Sequence, residues 1–359
     1  MENVTDFKIE NTRTSGKDTE VSILIVYTGG TIGMVYDDEG SLKPFNFARV
    51  LDKIPELREL DLKITVVSFP DPIDSSNINE TDWINLGRII SENYEQYDGF
   101  VVLHGTDTMA YSASALSFMF EGLTKPIIFT GAQIPIGQLR SDARDNMITA
   151  LQIASAKKDG EPLIKEVAIY FNFVLLRGNR SQKVRSSTFA AFQSQNYPKL
   201  ASSGIFIEYF PSTFLETGQQ DQLKFCPYFD PNVVILKIFP GLRLETIRHT
   251  LSIPGLKGVV LETFGSGNTS NDPRFIKILS DTIRSGVIVY NVSQCSGGEV
   301  IQGRYATSKK LQEIGVVSGG DITSEAAITK LMFLLGKESD QSKICSLLER
   351  PIRGEMDAQ

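Results

Sequence analysis

Three short stretches of this chain carry side chains able to transfer an acyl group. Thr28-Gly29-Gly30-Thr31 closes the apolar run "VSILIVYTGGT" with a hydroxyl behind two glycines. "LHGTDTM", residues 103–109, sets Thr106 and Asp107 between a buried-type strand and an apolar helical pattern. "LLRGNRSQKVRSS", residues 175–187, sets Lys183 among Arg177, Arg180 and Arg185. Taken singly, each has a plain structural reading. Two glycines suit a tight turn, after which Thr31 bonds its own backbone. Asp107 or Thr106 suits a helix N-cap. Lys183 suits a solvated basic loop, since a lysine acts as a base only when burial brings its pKa down from about 10.4. Placed at one edge, they supply two hydroxyls, one carboxylate and one amine. That is a set for acyl transfer without histidine, in which a threonine attacks, a lysine moves protons and an aspartate orients the lysine. His104, beside the second stretch, reads as a structural residue.

Phosphate chemistry fails on detail. The first stretch lacks G-x-G-x-x-G, the second strand ends in Ser68-Phe69 rather than an acid, and no Gly-Lys-Ser/Thr follows.

A shared edge requires particular elements, and the pattern predicts them. Strands are expected at 21–27, 64–67, 99–103, 126–130 and 165–171, nearly continuous in Val, Ile, Leu and Phe, as strands covered on both faces should be. Helical spacing at 80–93, 108–121 and 141–154 separates the later ones, with Asn79 and Thr81 as caps for the first helix. This alternation predicts a parallel α/β sheet, whose ligands bind beyond the carboxyl ends of the strands, where all three stretches fall. A second series follows, with strands at 233–239, 258–261, 287–291 and 315–317 and helices at 242–250, 273–285 and 324–335. The fold class is therefore α/β, with two α/β domains, the N-terminal one larger. Its expected divisions are a flexible leader over 1–20, an N-terminal domain over 21–208, a linker over 209–230 and a C-terminal domain over 231–359.

Composition narrows the partners. The 359 residues carry a net charge of −7 with no dense Lys/Arg cluster, which argues against nucleic acid and acidic membranes. No apolar run approaches the roughly 20 residues of a membrane helix. The first twenty residues lack the apolar stretch of a secretory signal, so a cytoplasmic protein is expected. Three cysteines (Cys226, Cys295, Cys345) and two histidines, none in a ligand pattern, leave no metal centre to expect.

With those residues in place, the chain resembles the bacterial-type L-asparaginases. "TGGTIGM" (28–34), "DSSNIN" (74–79), "GFVVLHGTDTMAYSASALSFM" (99–119), "PIIFTGAQIP" (126–135) and "LRGNRSQK" (176–183) carry the likeness. "RSDARDN" (140–146) and "YATS" (305–308) make the type I, cytoplasmic branch the nearer one. The resemblance implies hydrolysis of L-asparagine to L-aspartate and ammonia, without cofactor or metal, on two α/β domains. It makes Thr31 the nucleophile and Thr106, Asp107 and Lys183 the threonine–aspartate–lysine set. It assigns Asp74, Ser75 and Ser76 to the substrate α-carboxylate, Asp107 also to its ammonium, and the N–H groups of Thr106 and Ala132 to the amide oxygen. Asn268, in "GSGN", would reach a neighbouring subunit's site, which implies a homodimer or homotetramer. Ser293 and Cys295, in "NVSQC", fall where some type I members bind asparagine allosterically, although Glu262 stands where one branch has arginine. Many members also place a tyrosine on the loop after TGGTIG. Here Ser41 or Leu42 falls at that position, with Tyr36 earlier. Two other readings remain: a mixed glutaminase–asparaginase, and a non-catalytic amino-acid sensor on the same fold.

Overall fold

The structure, a computed structural model, describes residues 5–8, 21–36, 42–44, 54–216, 222–303 and 306–358. Two compact units divide after Phe225, with Gln195–Tyr197 counted in the second.

The first unit is built on a nine-stranded sheet. Its parallel centre runs Leu62–Ile73, Val21–Gly29, Gly99–Leu103, Ile127–Thr130, Val167–Phe171. Ile23–Val26, Phe100–Leu103 and Ile127–Phe129 are fully buried, which is why these strands read as unbroken apolar runs. The helices Glu80–Glu92, Met109–Met119 and Ala143–Ser155 form the connections. Asn79 caps the first, accepting the Thr81 N–H while Asp82 accepts its own, so both orphan donors are satisfied.

Beyond Val167–Phe171 the sheet turns antiparallel through Val174–Arg177, Ala201–Ser203 and Ile207–Tyr209. The sequence pattern does not predict these strands. Asn172 and Phe173 both take left-handed φ, 45° and 68°, and close a two-residue hairpin. The usual signal there is a glycine, and Phe173 hides it inside the apolar string "IYFNFVLL". Other differences lie at the domain ends. Thr5–Lys8, inside the expected leader, pairs antiparallel with Thr65–Ser68. Within the expected linker, Ile207–Tyr209 ends at Tyr209, and Lys224–Phe225 pairs with Phe120–Glu121, so the chain builds the first unit as far as Phe225. Residues 217–221 of that linker, and Ser41, lie outside the described residues. Tyr36 and Leu42 are paired partners in a short hairpin.

The second unit is a four-stranded parallel sheet, Val233–Lys237, Gly258–Thr263, Ile288–Ser293, Val317–Ser318, in sequence order. Leu236, Val259, Leu261, Val289, Phe275 and Leu279 centre its core. Two helices, Ala306–Glu313 and Gln341–Leu348, add to those expected. Lys330 and Glu355 form an ion pair at 2.7 Å with both side chains 0% exposed. Burial pushes the Lys330 ammonium below its ordinary value against the pull of Glu355. Lys330 also donates to the carbonyls of Leu348 and Arg350, while Glu355 accepts from the N–H groups of Ile352 and Arg353. Removing one partner strands the other charge in a dry site. Glu355→Ala should therefore destabilise this unit by about 3–5 kcal/mol in denaturant unfolding, and adding Lys330→Met should restore most of it. A single-variant loss below about 1 kcal/mol would show that the stranded ammonium finds water.

Candidate active site

The parallel strands reverse direction of spread between Val21–Gly29 and Gly99–Leu103: the chain goes to one side for Leu62–Ile73, then to the other for the rest. At such a switch point the loops on either side part and leave a crevice. The first two chemistry-bearing stretches are those two loops.

Gly29 and Gly30 make the turn out of the first strand with φ of 136° and 87°, open to glycine and strained for other residues. A Cβ on Gly30 would lie 2.4 Å from the Gly105 nitrogen, so the two backbones touch. Thr31 then opens a one-turn 3-10 helix, Thr31–Gly33, and is half-buried. A Cβ on Gly105 would lie 2.5 Å from Ser75 Oγ, and Thr108 Oγ1 donates to the Ser75 carbonyl at 2.7 Å. The segments around residues 30 and 105 thus meet backbone to backbone, and Ser75 packs against Gly105 through its side chain. Ser75 is buried, whereas Asp74 and Ser76 are exposed, with the Asp74 carboxylate accepting the Ser76 N–H at 3.0 Å.

Neither Thr106 nor Asp107 caps the following helix. That helix starts at Met109, its N-cap position is Thr108, and no side chain caps it. Lys183 Nζ donates to Thr106 Oγ1 at 2.7 Å and pairs with Asp107 Oδ1 at 2.6 Å. The Lys183 side chain is only 14% exposed, against 66% for Asp107, so the solvated-loop reading of the third stretch does not describe it. Two of the three neighbouring arginines are buried as well, Arg177 pairing with Glu166 at 2.6 Å and Arg180 2% exposed, whereas Arg185 is exposed. A short antiparallel pairing of Gln182–Lys183 with Phe192–Gln193 sets the lysine backbone.

Gln133 carries no mark in the sequence that would single it out. Its amide NH2 donates to the Thr188 carbonyl at 3.0 Å, which leaves its oxygen to accept the Thr106 hydroxyl at 3.4 Å. Thr188 belongs to the loop just beyond Lys183, so Gln133 ties that loop to Thr106. Residue type offers no signal, because glutamine beside Ala132 in "TGAQ" reads as an ordinary polar loop residue. Ala132 itself is buried.

His104 is structural. Its Nδ1 lies 2.6 Å from the Gly105 carbonyl and must carry the hydrogen, so Nε2 accepts from Ser112 Oγ at 2.8 Å. Ser112 Oγ in turn accepts the Trp83 indole N–H. Burial lowers the imidazole from 6.5 to about 4. Between those values the unfolded chain takes up a proton that the folded one refuses. This contribution to stability is complete above pH 6.5 and is lost as pH falls toward 4, roughly 3 kcal/mol in all. A His104→Gln variant should show a flatter fall of unfolding free energy over that range. Parallel curves for variant and parent would mean that His104 does not titrate this way.

The remaining expected site residues lie in the second unit. Asn268 exchanges backbone hydrogen bonds with Phe264, and Ser293 Oγ donates to the Gly265 carbonyl at 2.6 Å, closing the same turn. The Cys295 N–H donates to Ser293 Oγ, and its thiol is exposed. Glu262 is buried, accepting from Ser324 Oγ at 2.7 Å with Lys237 Nζ at 3.3 Å. Among the described residues, no helix is long and apolar enough to cross a membrane.

A sheet with a parallel centre that brings a hydroxyl, an amine and a carboxylate together beside its switch point, followed by a second parallel unit, defines a two-domain α/β protein. The profile "Asparaginase, N-terminal" matches residues 22–213 and "Glutaminase/Asparaginase C-terminal domain" matches residues 232–348. The chain belongs to the asparaginase family. It is 38% identical to L-asparaginase 1 of Escherichia coli K12 over 337 residues, 93% of this chain and 98% of that protein. It is also 38% identical to the 60 kDa lysophospholipase of Mus musculus, covering 94% of this chain and 63% of that one. The crystal structure of L-asparaginase I from Vibrio cholerae superposes with a TM-score of 0.86 at 40% identity, over 94% of this chain and 100% of the other.

Proposed function

We propose that this protein is an L-asparaginase that hydrolyses L-asparagine to L-aspartate and ammonia through an ester on Thr31. The observation that carries the reading is the pair of contacts from Lys183 Nζ to Thr106 Oγ1 and Asp107 Oδ1, in a loop that abuts the turn before Thr31. In the first step the Thr31 hydroxyl adds to the side-chain amide carbon, and its proton passes by way of Lys183 to the departing nitrogen. The C–N bond breaks, ammonia leaves, and a β-aspartyl ester remains. In the second step water, placed by Thr106, adds to the ester carbon, its proton returns to Thr31 Oγ, and aspartate is released. Asp107 holds the lysine and receives the substrate ammonium.

Charge that develops on the amide oxygen needs fixed donors, each lowering the barrier by roughly 3 kcal/mol. Among the described residues, the N–H groups of Thr106 and Ala132 have no hydrogen-bond partner, which suits that task. Asp74, Ser75 and Ser76 hold the α-carboxylate in this reading. Asn268 completes a neighbouring subunit's site in a homodimer or homotetramer, and the enzyme works in the cytoplasm without a cofactor. Ser293 and Cys295 are candidates for an allosteric asparagine site, where the buried Glu262 is a poor partner for an effector carboxylate.

Ammonia release from L-asparagine by the purified protein tests the reading, with Thr31→Ala as control and L-glutamine and a lysophospholipid as competing substrates. A higher kcat/KM for either competitor would replace asparagine as the substrate. One methylene of substrate length separates the two amides by only about 1–3 kcal/mol.

A further inference from the structure

Asp142 stands at the N-cap position of the helix Ala143–Ser155, yet its side chain makes no cap bond to that helix. The carboxylate instead reaches back across the loop after Ile127–Thr130. Both oxygens accept the Gln133 N–H at 3.0 Å, and Oδ1 also accepts the Ile134 N–H at 3.0 Å. Ser141 takes part in the same exchange, donating from Oγ to the Ile134 carbonyl at 2.9 Å and accepting the Ala143 N–H at 3.2 Å. The chain adopts a left-handed φ of 64° at Arg140, unfavourable for a residue with a side chain, just before it delivers these two groups.

One helical turn on, Asn146 completes the arrangement. Its NH2 donates to the Gly131 carbonyl at 3.0 Å and to Asp142 Oδ2 at 3.2 Å, and its oxygen accepts the Asn172 N–H at 3.2 Å. Since the Asn172 group can only donate and the Gly131 group can only accept, the orientation of this buried amide is determined. The hairpin turn at Asn172–Phe173 thereby anchors Asn146, and Asn146 steadies Asp142. Gly131 is held through its carbonyl, and Gln133 and Ile134 through their N–H groups, while the Ala132 N–H between them has no hydrogen-bond partner among the described residues.

We propose that Asp142, braced by Asn146, is a positioning residue that holds the 131–134 loop so that the Ala132 N–H points at the reacting amide oxygen and Gln133 reaches Thr106. The inference rests on the asparaginase reading for its catalytic consequence and on the network alone for its geometry. A carboxylate that satisfies three donors at once fixes the direction of the peptide planes it binds, and a donor fixed before reaction acts on the transition state more than on the bound substrate.

Two measurements on the full chain separate these claims. Amide hydrogen exchange of the 131–134 peptide should quicken at least about tenfold in Asp142→Ala, whereas the peptide around Lys183 should be unchanged. With L-asparagine, kcat should fall about 10²-fold with KM altered less than about threefold. Asp142→Asn keeps one acceptor oxygen and should recover part of both effects, which also serves if the alanine variant folds poorly. Unchanged exchange at 131–134, or full kcat in both variants of an active enzyme, overturns the proposal. An unmutated protein that does not release ammonia from asparagine overturns the asparaginase reading instead, and the exchange result still decides whether Asp142 positions the loop.

Discussion

Replacing Lys183 with methionine should lower kcat for L-asparagine by roughly 10²–10⁴-fold, the range expected when a positioned proton carrier is removed. Methionine keeps an unbranched stem of similar reach, so the mostly buried side chain still fills its place beside Thr106. Asp107 loses its partner but is 66% exposed, and water can solvate it. Folding free energy should therefore change by less than about 1 kcal/mol. A variant that folds normally and turns over at a near-parental rate would remove Lys183 from the proton path. In that event the contacts with Thr106 and Asp107 would serve only to hold two loops together.

Thr31→Ala should be more damaging, on the order of 10⁴-fold in kcat, because no ester can form and the two easier steps revert to one difficult step. The turn itself depends on Gly29 and Gly30 rather than on the threonine hydroxyl, so the fold should survive. Thr31→Ser should keep measurable turnover, as the hydroxyl remains. Rapid acid quench with asparagine, followed by peptide mass analysis, gives an independent readout: the parent should carry a β-aspartyl group on the peptide that contains Thr31. An adduct on the peptide with Thr106, together with a surviving burst in Thr31→Ala, would exchange the parts of the two threonines. In the structure the Thr106 hydroxyl directs its proton toward the Gln133 oxygen and accepts from Lys183 Nζ.

The parallel centre of the first unit was legible at the level of single elements. Strands buried on both faces leave a continuous apolar run, and Val21–Gly29, Gly99–Leu103 and Val167–Phe171 each show one. Asn79 announced its helix through residue type and spacing. The antiparallel flank was not legible, because the turn at Asn172–Phe173 uses an aromatic residue where glycine is customary. The strand Lys224–Phe225 escapes for a different reason: two residues have no periodicity, and only the partner Phe120–Glu121 makes them a strand.

At the site, residue types specified the chemistry on offer: hydroxyls at 31 and 106, a carboxylate at 107, an amine at 183 and glycines that let backbones approach. They also specified an α/β fold, since periodicity is a local property and survives in the sequence. What the sequence left undecided was which of two legitimate uses each group has. Aspartate before a helix can cap it or bond elsewhere, and a lysine in a basic loop can face water or a cleft. Only the folded chain settled these choices, bringing the Lys183 amine onto Thr106 and Asp107 across 77 and 76 residues and turning Asp142 away from its own helix. The reason is that such contacts depend on strand order and on the paths of loops, which no single segment encodes.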